Sequence, residues 1–392
     1  MPAGKAAAQR FVRDRLTWTV YALVGYFAYM ETALGPLMPF LRAEHGFSYT
    51  VASLHFSAFA SGGVLTGVLG ERATGLWGRR VSLWGGGAGM AAGAVLLAAS
   101  PVTAGTIAGA FLMGTSGSLL LITTQSVLSD RHGAHGAVAL TESNAAASAC
   151  AIAASLAVGA FAASGLGWRA AFVPPLVALA LLSPGFRLKP PERSTSAASS
   201  PSGEQRGRLP ARFWAYWGVL SLGVAIEWCI TYWGATFLKS GAGLSSAGAA
   251  GALSVFPAAM LAGRLAGSRL ARTLPAGNLL AATLVVALAG FPVFWLSGSG
   301  PLTLAGLAVT GLGIGSVYPL AVSVGVSAIP GRSDEAAARL SLGASGAILI
   351  APFILGNLAD RTSIEAAYGI VLPMIVAAVA LVLAAWRLGS RR

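Results

Sequence analysis

The chain is 392 residues long, 55% hydrophobic and only 10% charged, with a mean hydropathy of +0.72. That composition excludes a soluble domain of this size and points to a membrane. The net charge of +13 suggests nucleic acid at first sight, but the lysines and arginines recur where apolar runs end, which makes a lipid bilayer the partner instead.

Apolar stretches of about 20 residues, enough to cross roughly 30 Å of hydrocarbon as a helix, recur from end to end. Twelve spans are predicted in chain order: 16–41, 49–70, 81–99, 102–127, 137–164, 167–186, 212–238, 246–270, 277–297, 301–327, 336–358 and 365–387. The first fifteen residues are basic, but the run after them is too long for a signal-peptide core and lacks a small-residue cleavage site, so it stays as span 1. With the N-terminus inside, the inner segments carry Lys5, Arg10, Arg13, Arg15, Arg72, Arg79, Arg80, Arg131, Arg187, Lys189, Arg193, Arg206, Arg208, Arg212, Arg269, Arg272, Arg332, Arg387, Arg391 and Arg392. The outer loops carry only Arg42, Arg169, Lys239 and Arg361. This bias puts both termini in the cytoplasm. Cys150 and Cys229 fall inside spans, so no disulfide framework is expected.

One long polar segment, RLKPPERSTSAASSPSGEQRGRLPAR (residues 187–212), falls near the midpoint and reads as a linker. Sliding the chain along itself by half its length brings related residues into register. Glu31 lands on Glu227, and Gly67 on Gly263, at an offset of 196 residues. At 197, PFLRAEHGFS (39–48) meets TFLKSGAGLS (236–245), Gly109 and Gly114 meet Gly306 and Gly311, and ASACAIAASLAVG (147–159) meets ASGAILIAPFILG (344–356). A duplication follows, with residues 1–186 as the first six-helix bundle, 187–211 as a cytoplasmic linker and 212–392 as the second bundle.

Two parallel six-helix halves resemble the build of the major facilitator superfamily, in which the solute site lies between the halves near mid-membrane. The most specific local likeness follows span 2, where the family pattern is G-x-x-x-[D/E]-R-x-G-R-[K/R]. GVLGER (67–72) supplies its first part and GRR (78–80) its second, with four extra residues between and Glu71 as the acid. Ala110 stands where many members carry Arg, and Ser155 where the drug-antiporter pattern has Pro, which weakens the carry-over of antiport chemistry. The resemblance implies an all-α integral membrane fold of twelve transmembrane helices.

Within the spans, polar residues are the functional candidates. Glu31 sits about 22 Å into span 1 at 1.5 Å per residue, and Glu227 equally deep in span 7. An ionised, unpaired carboxylate there costs several kcal/mol, so it holds a proton, finds a partner or faces an aqueous cavity. Both are therefore proton-coupling or substrate-binding candidates; the plainer reading is packing glue between helices. Trp228 and Tyr232 share a helix face at i, i+4 and could stack a ring. Tyr26, Tyr29, Gln125, Asn144 and Tyr318 are further cavity candidates, each otherwise an interface aromatic or helix glue. Trp233 reads as an interfacial belt residue, and His55 as a hydrogen-bonded histidine at a helix end.

Glu71, Arg72, Arg79, Arg80, Glu142, Arg264 and Arg339 lie toward the cytoplasmic end and form a candidate gate. The resemblance implies that Glu142 pairs with Arg264, and Glu71 with Arg339, as latches between the halves. There is no Walker motif, HExxH or GxSxG in a fitting context, and the histidines of RHGAH (131–135) lack soft ligands nearby. The expected protein is thus not an enzyme and takes no cofactor or metal. It is expected to be a monomeric, multi-pass carrier in a bacterial inner membrane, moving a small organic solute with protons, or with sodium as the alternative ion. A proton-driven multidrug or metabolite efflux antiporter is the runner-up. A non-transporting sensor or enzyme on the same fold is the reading from another class.

Overall fold

The computed structural model describes residues 11–191 and 208–389. Lys5, Arg10, Arg193, Arg206, Arg391 and Arg392, and most of the expected linker, lie outside the described residues. Within them the chain is helical, with no strand. The helices are α1 Arg15–His45, α2 Tyr49–Ala99, α3 Thr103–His132, α4 Gly136–Ala163, α5 Val173–Leu182, α6 Ala211–Ser240, α7 Ser246–Ala252, α8 Val255–Leu270, α9 Ala276–Leu296, α10 Gly300–Ile314, α11 Val317–Ser327, α12 Ser333–Arg361, α13 Ile364–Tyr368 and α14 Val371–Gly389. Short 3₁₀ turns flank α5. Counting contiguous helical runs among the described residues, nine are long and apolar enough to cross a membrane.

Local signals set the helix ends. Asp14 caps α1 by accepting from the Thr17 amide at 2.9 Å, and α1 stops at Gly46, whose φ of +67° an L side chain rarely adopts. Ser48 caps α2. One boundary differs from the sequence reading. Residues 71–77, expected as loop, continue α2, and the break comes at Gly78, whose φ is +79°. Past that break Arg79 pairs with Asp130 of α3 and donates to the Pro191 carbonyl at 2.9 Å. The Arg80 guanidinium lies 4.0 Å over the Phe186 ring. These contacts hold the second part of α2 against α3 and the end of the α5 segment.

Contacts follow a repeated pattern. α1 packs on α4 and α2 on α3 in the first group of helices; α6 packs on α12, and α8 and α9 on α10, in the second. The two groups meet along α1 with α6, α2 with α12, and α4 with α7. Small residues permit these crossings. A Cβ on Gly35 would stand 2.0 Å from the Thr231 carbonyl oxygen, and one on Gly159 would stand 2.6 Å from the Gly251 amide nitrogen.

Polar bonds between the groups lie at the same end of the molecule. Asp360, near the end of α12, accepts from the Tyr49 and Thr50 amides at 2.7 Å each, so its carboxylate covers the first turn of α2. Ser57 donates to the Leu349 carbonyl at 3.2 Å. Trp233, expected at a lipid interface, is instead fully buried here and donates to the Pro352 carbonyl at 2.8 Å; its ring meets Tyr49 and Phe56 edge-on. The end where α1 finishes and α2 begins is therefore sealed. Asp360→Ala is expected to weaken that seal by about 1–2 kcal/mol, read as roughly tenfold faster hydrogen exchange at the Tyr49 and Thr50 amides. Unchanged protection would mean that the carboxylate does not hold the helix.

Candidate solute-binding cavity

The burial pattern of α1 and α6 locates the site. From Leu23 to Pro39 every residue of α1 is buried except Glu31 and Thr32. From Gly223 to Leu238 every residue of α6 is buried except Glu227, Trp228 and Thr231. All five border one cavity of about 160 Å³ between the two groups, joined there by Asn144, Ser148 and Ser155 of α4 and by Phe256, Met260 and Arg264 of α8. A second lobe of about 300 Å³ shares Glu227, Trp228 and Arg264 and reaches Tyr318 and Ser341. The two carboxylates thus interrupt otherwise buried helices where there is space beside them.

Arg264 is the cavity's cation, and the backbone explains its aim. Gly315 lies between α10 and α11, and its carbonyl would ordinarily accept from the residue four further on. That residue is Pro319, which has no N–H. The carbonyl accepts instead from Arg264 Nε at 3.1 Å. So anchored, the guanidinium stands 3.6 Å from the Glu227 carboxylate, an ion pair too long for a good hydrogen bond. The Ser316 hydroxyl donates to the Gly263 carbonyl at 2.8 Å, tying the same break to α8.

Of the residues singled out from sequence, Glu31, Glu227, Asn144, Trp228 and Tyr318 come together around these lobes. Others are placed elsewhere. The Tyr26 hydroxyl donates to the Gly87 carbonyl at 3.1 Å and the Tyr29 hydroxyl to the Ala171 carbonyl at 2.6 Å, so both tie α1 to its own group. Gln125 is exposed on α3 and lines neither lobe. Tyr232 is fully buried behind Trp228, stacked at 4.2 Å on Phe56 of the other group. His55 is buried, with Nε2 2.8 Å from the Thr106 hydroxyl.

The expected latches do not form in this conformation. Glu142 bonds Arg13 Nε at 2.8 Å and the Tyr21 hydroxyl at 3.0 Å. Arg264 turns into the cavity rather than toward Glu142, because Gly315 holds it there. Arg339 pairs with Glu335 at 3.2 Å on its own helix. Glu71 and Arg72 are exposed on α2 ahead of Gly78. Sequence reasoning missed Thr32, Thr231 and Ser148, and named Ser155 only as the place of an absent proline, not as a cavity residue. The two threonines carried a usable signal, since each stands one or four residues after a candidate Glu on the same helix face or its border.

The Major Facilitator Superfamily profile matches residues 17–334. The chain belongs to the major facilitator superfamily. No curated protein matches it in sequence. Among solved structures it is similar to a bacterial homologue of the human lysosomal transporter Spinster in an inward-facing, unoccupied conformation, with a TM-score of 0.69, 14% identity and 96% of each chain covered. It is likewise similar to the nucleoside transporter NupG (TM-score 0.74, 12% identity, 96% of this chain and 99% of that one). A third is a peptide transporter of the POT type in complex with sulfate (0.72, 15%, 96% and 94%). These identities show a shared fold. The superfamily and these neighbours are transporters, so this member is a multi-pass membrane transporter and not an enzyme.

Proposed function

We propose that this superfamily member is a secondary active carrier that moves a small organic solute by alternating access, coupled to protons, with Glu31 and Glu227 as the coupling or solute-binding acids. The observation that carries the reading is the cavity itself. It lies between the two helix groups, holds both acids, and sits beside a seal built from close helix crossings and a few polar bonds. A site placed where two bodies meet, with contacts between them gathered at one end, is what rocking between two accessibilities requires.

On this reading the chain crosses the membrane twelve times. α2 supplies two crossings either side of Gly78, α3 and α4 one each, and the pairs α7–α8, α10–α11 and α13–α14 one each. Residues 1–186 and 212–392 are the two bundles, 187–211 the linker, and both termini face the cytoplasm, which makes the sealed end the outer one. The basic inner segments support that orientation. A bacterial inner membrane and a monomer complete the proposal. Arg79, Arg80 and Glu142 then brace the cytoplasmic ends of single bundles, and a gate role for Glu71, Arg72 and Arg339 belongs to the outward-open state.

The test is counterflow in sealed proteoliposomes holding the full chain. A carrier trades labelled solute outside for unlabelled solute inside, without any gradient of ions. Exchange that saturates and depends on the protein is the expected result; protein-independent leakage for every solute of a broad panel overturns the reading.

A further inference from the structure

Resting on the carrier reading, we infer that the solute is a small zwitterion, an ammonium and a carboxylate a few bonds apart on one apolar body. The charges of the cavity point there. Glu31 has no hydrogen bond or ion pair within the described residues, and it offers a carboxylate to the lobe between the groups. Across that lobe Arg264 uses Nε on the Gly315 carbonyl. Its terminal nitrogens make no hydrogen bond among the described residues, Glu227 standing at 3.6 Å. The guanidinium fork therefore keeps donors for a planar carboxylate.

Other charge classes fit worse. An anion alone meets two carboxylates against one guanidinium. A cation alone satisfies Glu31 and leaves the terminal Arg264 donors without a protein or solute partner. A neutral solute leaves both. A zwitterion answers each: its ammonium sits at Glu31, and its carboxylate takes the bidentate place that Glu227 does not fill.

An independent sign of a ligand lies on α4. The Ser155 hydroxyl is fully buried, faces this cavity and has no hydrogen-bond partner, and a buried polar group in that state calls for a partner. Size agrees as well. The lobe of about 160 Å³ and the adjoining one of about 300 Å³ that shares Arg264 leave room for a solute of amino-acid size. Trp228, Phe256 and Met260 offer an apolar wall to the rest of the solute.

The experiment is counterflow by the full chain in proteoliposomes with two matched sets of radiolabelled probes. One set is phenylalanine, phenethylamine and 3-phenylpropionate; the other is leucine, isoamylamine and 4-methylpentanoate. In at least one set the zwitterion should exchange about tenfold faster than the amine or the acid. Arg264→Gln should cut zwitterion exchange by roughly 30-fold and narrow its lead over the amine, with Arg264→Lys restoring part of it. Thermal unfolding in detergent identifies a variant that fails to fold, and the lysine variant then carries the comparison. An amine or acid that exchanges as fast as its zwitterion overturns the class while the carrier stands. Equal losses for all three probes in Arg264→Gln make Arg264 a structural residue and overturn its contact with the solute. No exchange of any of the six, while another solute of the broad panel exchanges, overturns the zwitterion class and leaves the carrier standing; no protein-dependent exchange across the whole panel overturns the carrier.

Discussion

Gly35→Ala is expected to open the sealed end. The added Cβ would lie 2.0 Å from the Thr231 carbonyl oxygen, and the nearest other atoms are α6 backbone too, the Thr231 carbonyl carbon and the Tyr232 Cα. No side chain can turn aside, so α1 and α6 must separate. Overpacking of this kind costs about 1–3 kcal/mol. Because the crossing joins two bodies, the strain falls on the sealed conformation and not on the fold of either group, and its population should drop by roughly 10- to 100-fold relative to the open alternative. Ser53 reports this. It is fully buried on α2 beside the same seal, where a Cβ on Gly356 would stand 2.9 Å from its Cβ. With Cys150 and Cys229 replaced by alanine, Ser53→Cys should react with an impermeant maleimide about tenfold faster or more once Gly35→Ala is added. Gly67→Ala, where a Cβ would meet nothing within 4 Å, is the control. Equal rates in all three would mean that the crossing is not what closes this end.

Glu31→Gln is expected to separate exchange from coupling. Glutamine keeps the shape and one acceptor oxygen of Glu31 but cannot release or take a proton. Counterflow, which needs only solute on both sides, should persist at a reduced rate because the amide oxygen still accepts a bond from the solute. Accumulation driven by a pH gradient should vanish. One coupled proton sustains about tenfold accumulation per pH unit, since a unit of pH is a factor of ten in proton activity, and the variant should settle at no accumulation at all. Glu227→Gln should differ, because it also removes the ion-pair partner of Arg264 and frees that guanidinium to turn toward the solute or Glu31.

Much of this arrangement is legible in the string. Helix identity and length follow from apolar runs, and the 196-residue offset between Glu31 and Glu227 already sets two acids at equal depth in related helices. Their place in one cavity agrees with that symmetry. What the string hides is direction around and between helices. Tyr26 and Tyr29 are three residues apart on α1, close to Glu31, yet their hydroxyls find carbonyls in their own group, Gly87 and Ala171. The aim of Arg264 depends on a proline 55 positions away in sequence, and only the packing of α8 on α10 brings Gly315 within reach. Trp233 reads as an interface aromatic by its place near a helix end, but the Tyr49 and Phe56 rings of α2 and the Pro352 carbonyl of α12 enclose it. The continuation of α2 through residues 71–77 is a further case: this stretch contains helix formers, and the one non-helical residue is Gly78. Periodicity reports that a face is buried; it does not report which neighbour buries it.

The most direct measurement is solute-driven proton movement in sealed vesicles, followed with an internal pH dye, wild type beside Glu31→Gln in the same preparation. Adding an exchanged solute to wild-type vesicles should move protons at once, with a sign that gives symport or antiport, and the same addition should leave the internal pH of Glu31→Gln vesicles unchanged while labelled solute still exchanges. Solute exchange without proton movement in the wild type, or proton movement that survives in Glu31→Gln, would contradict a carrier coupled through this carboxylate.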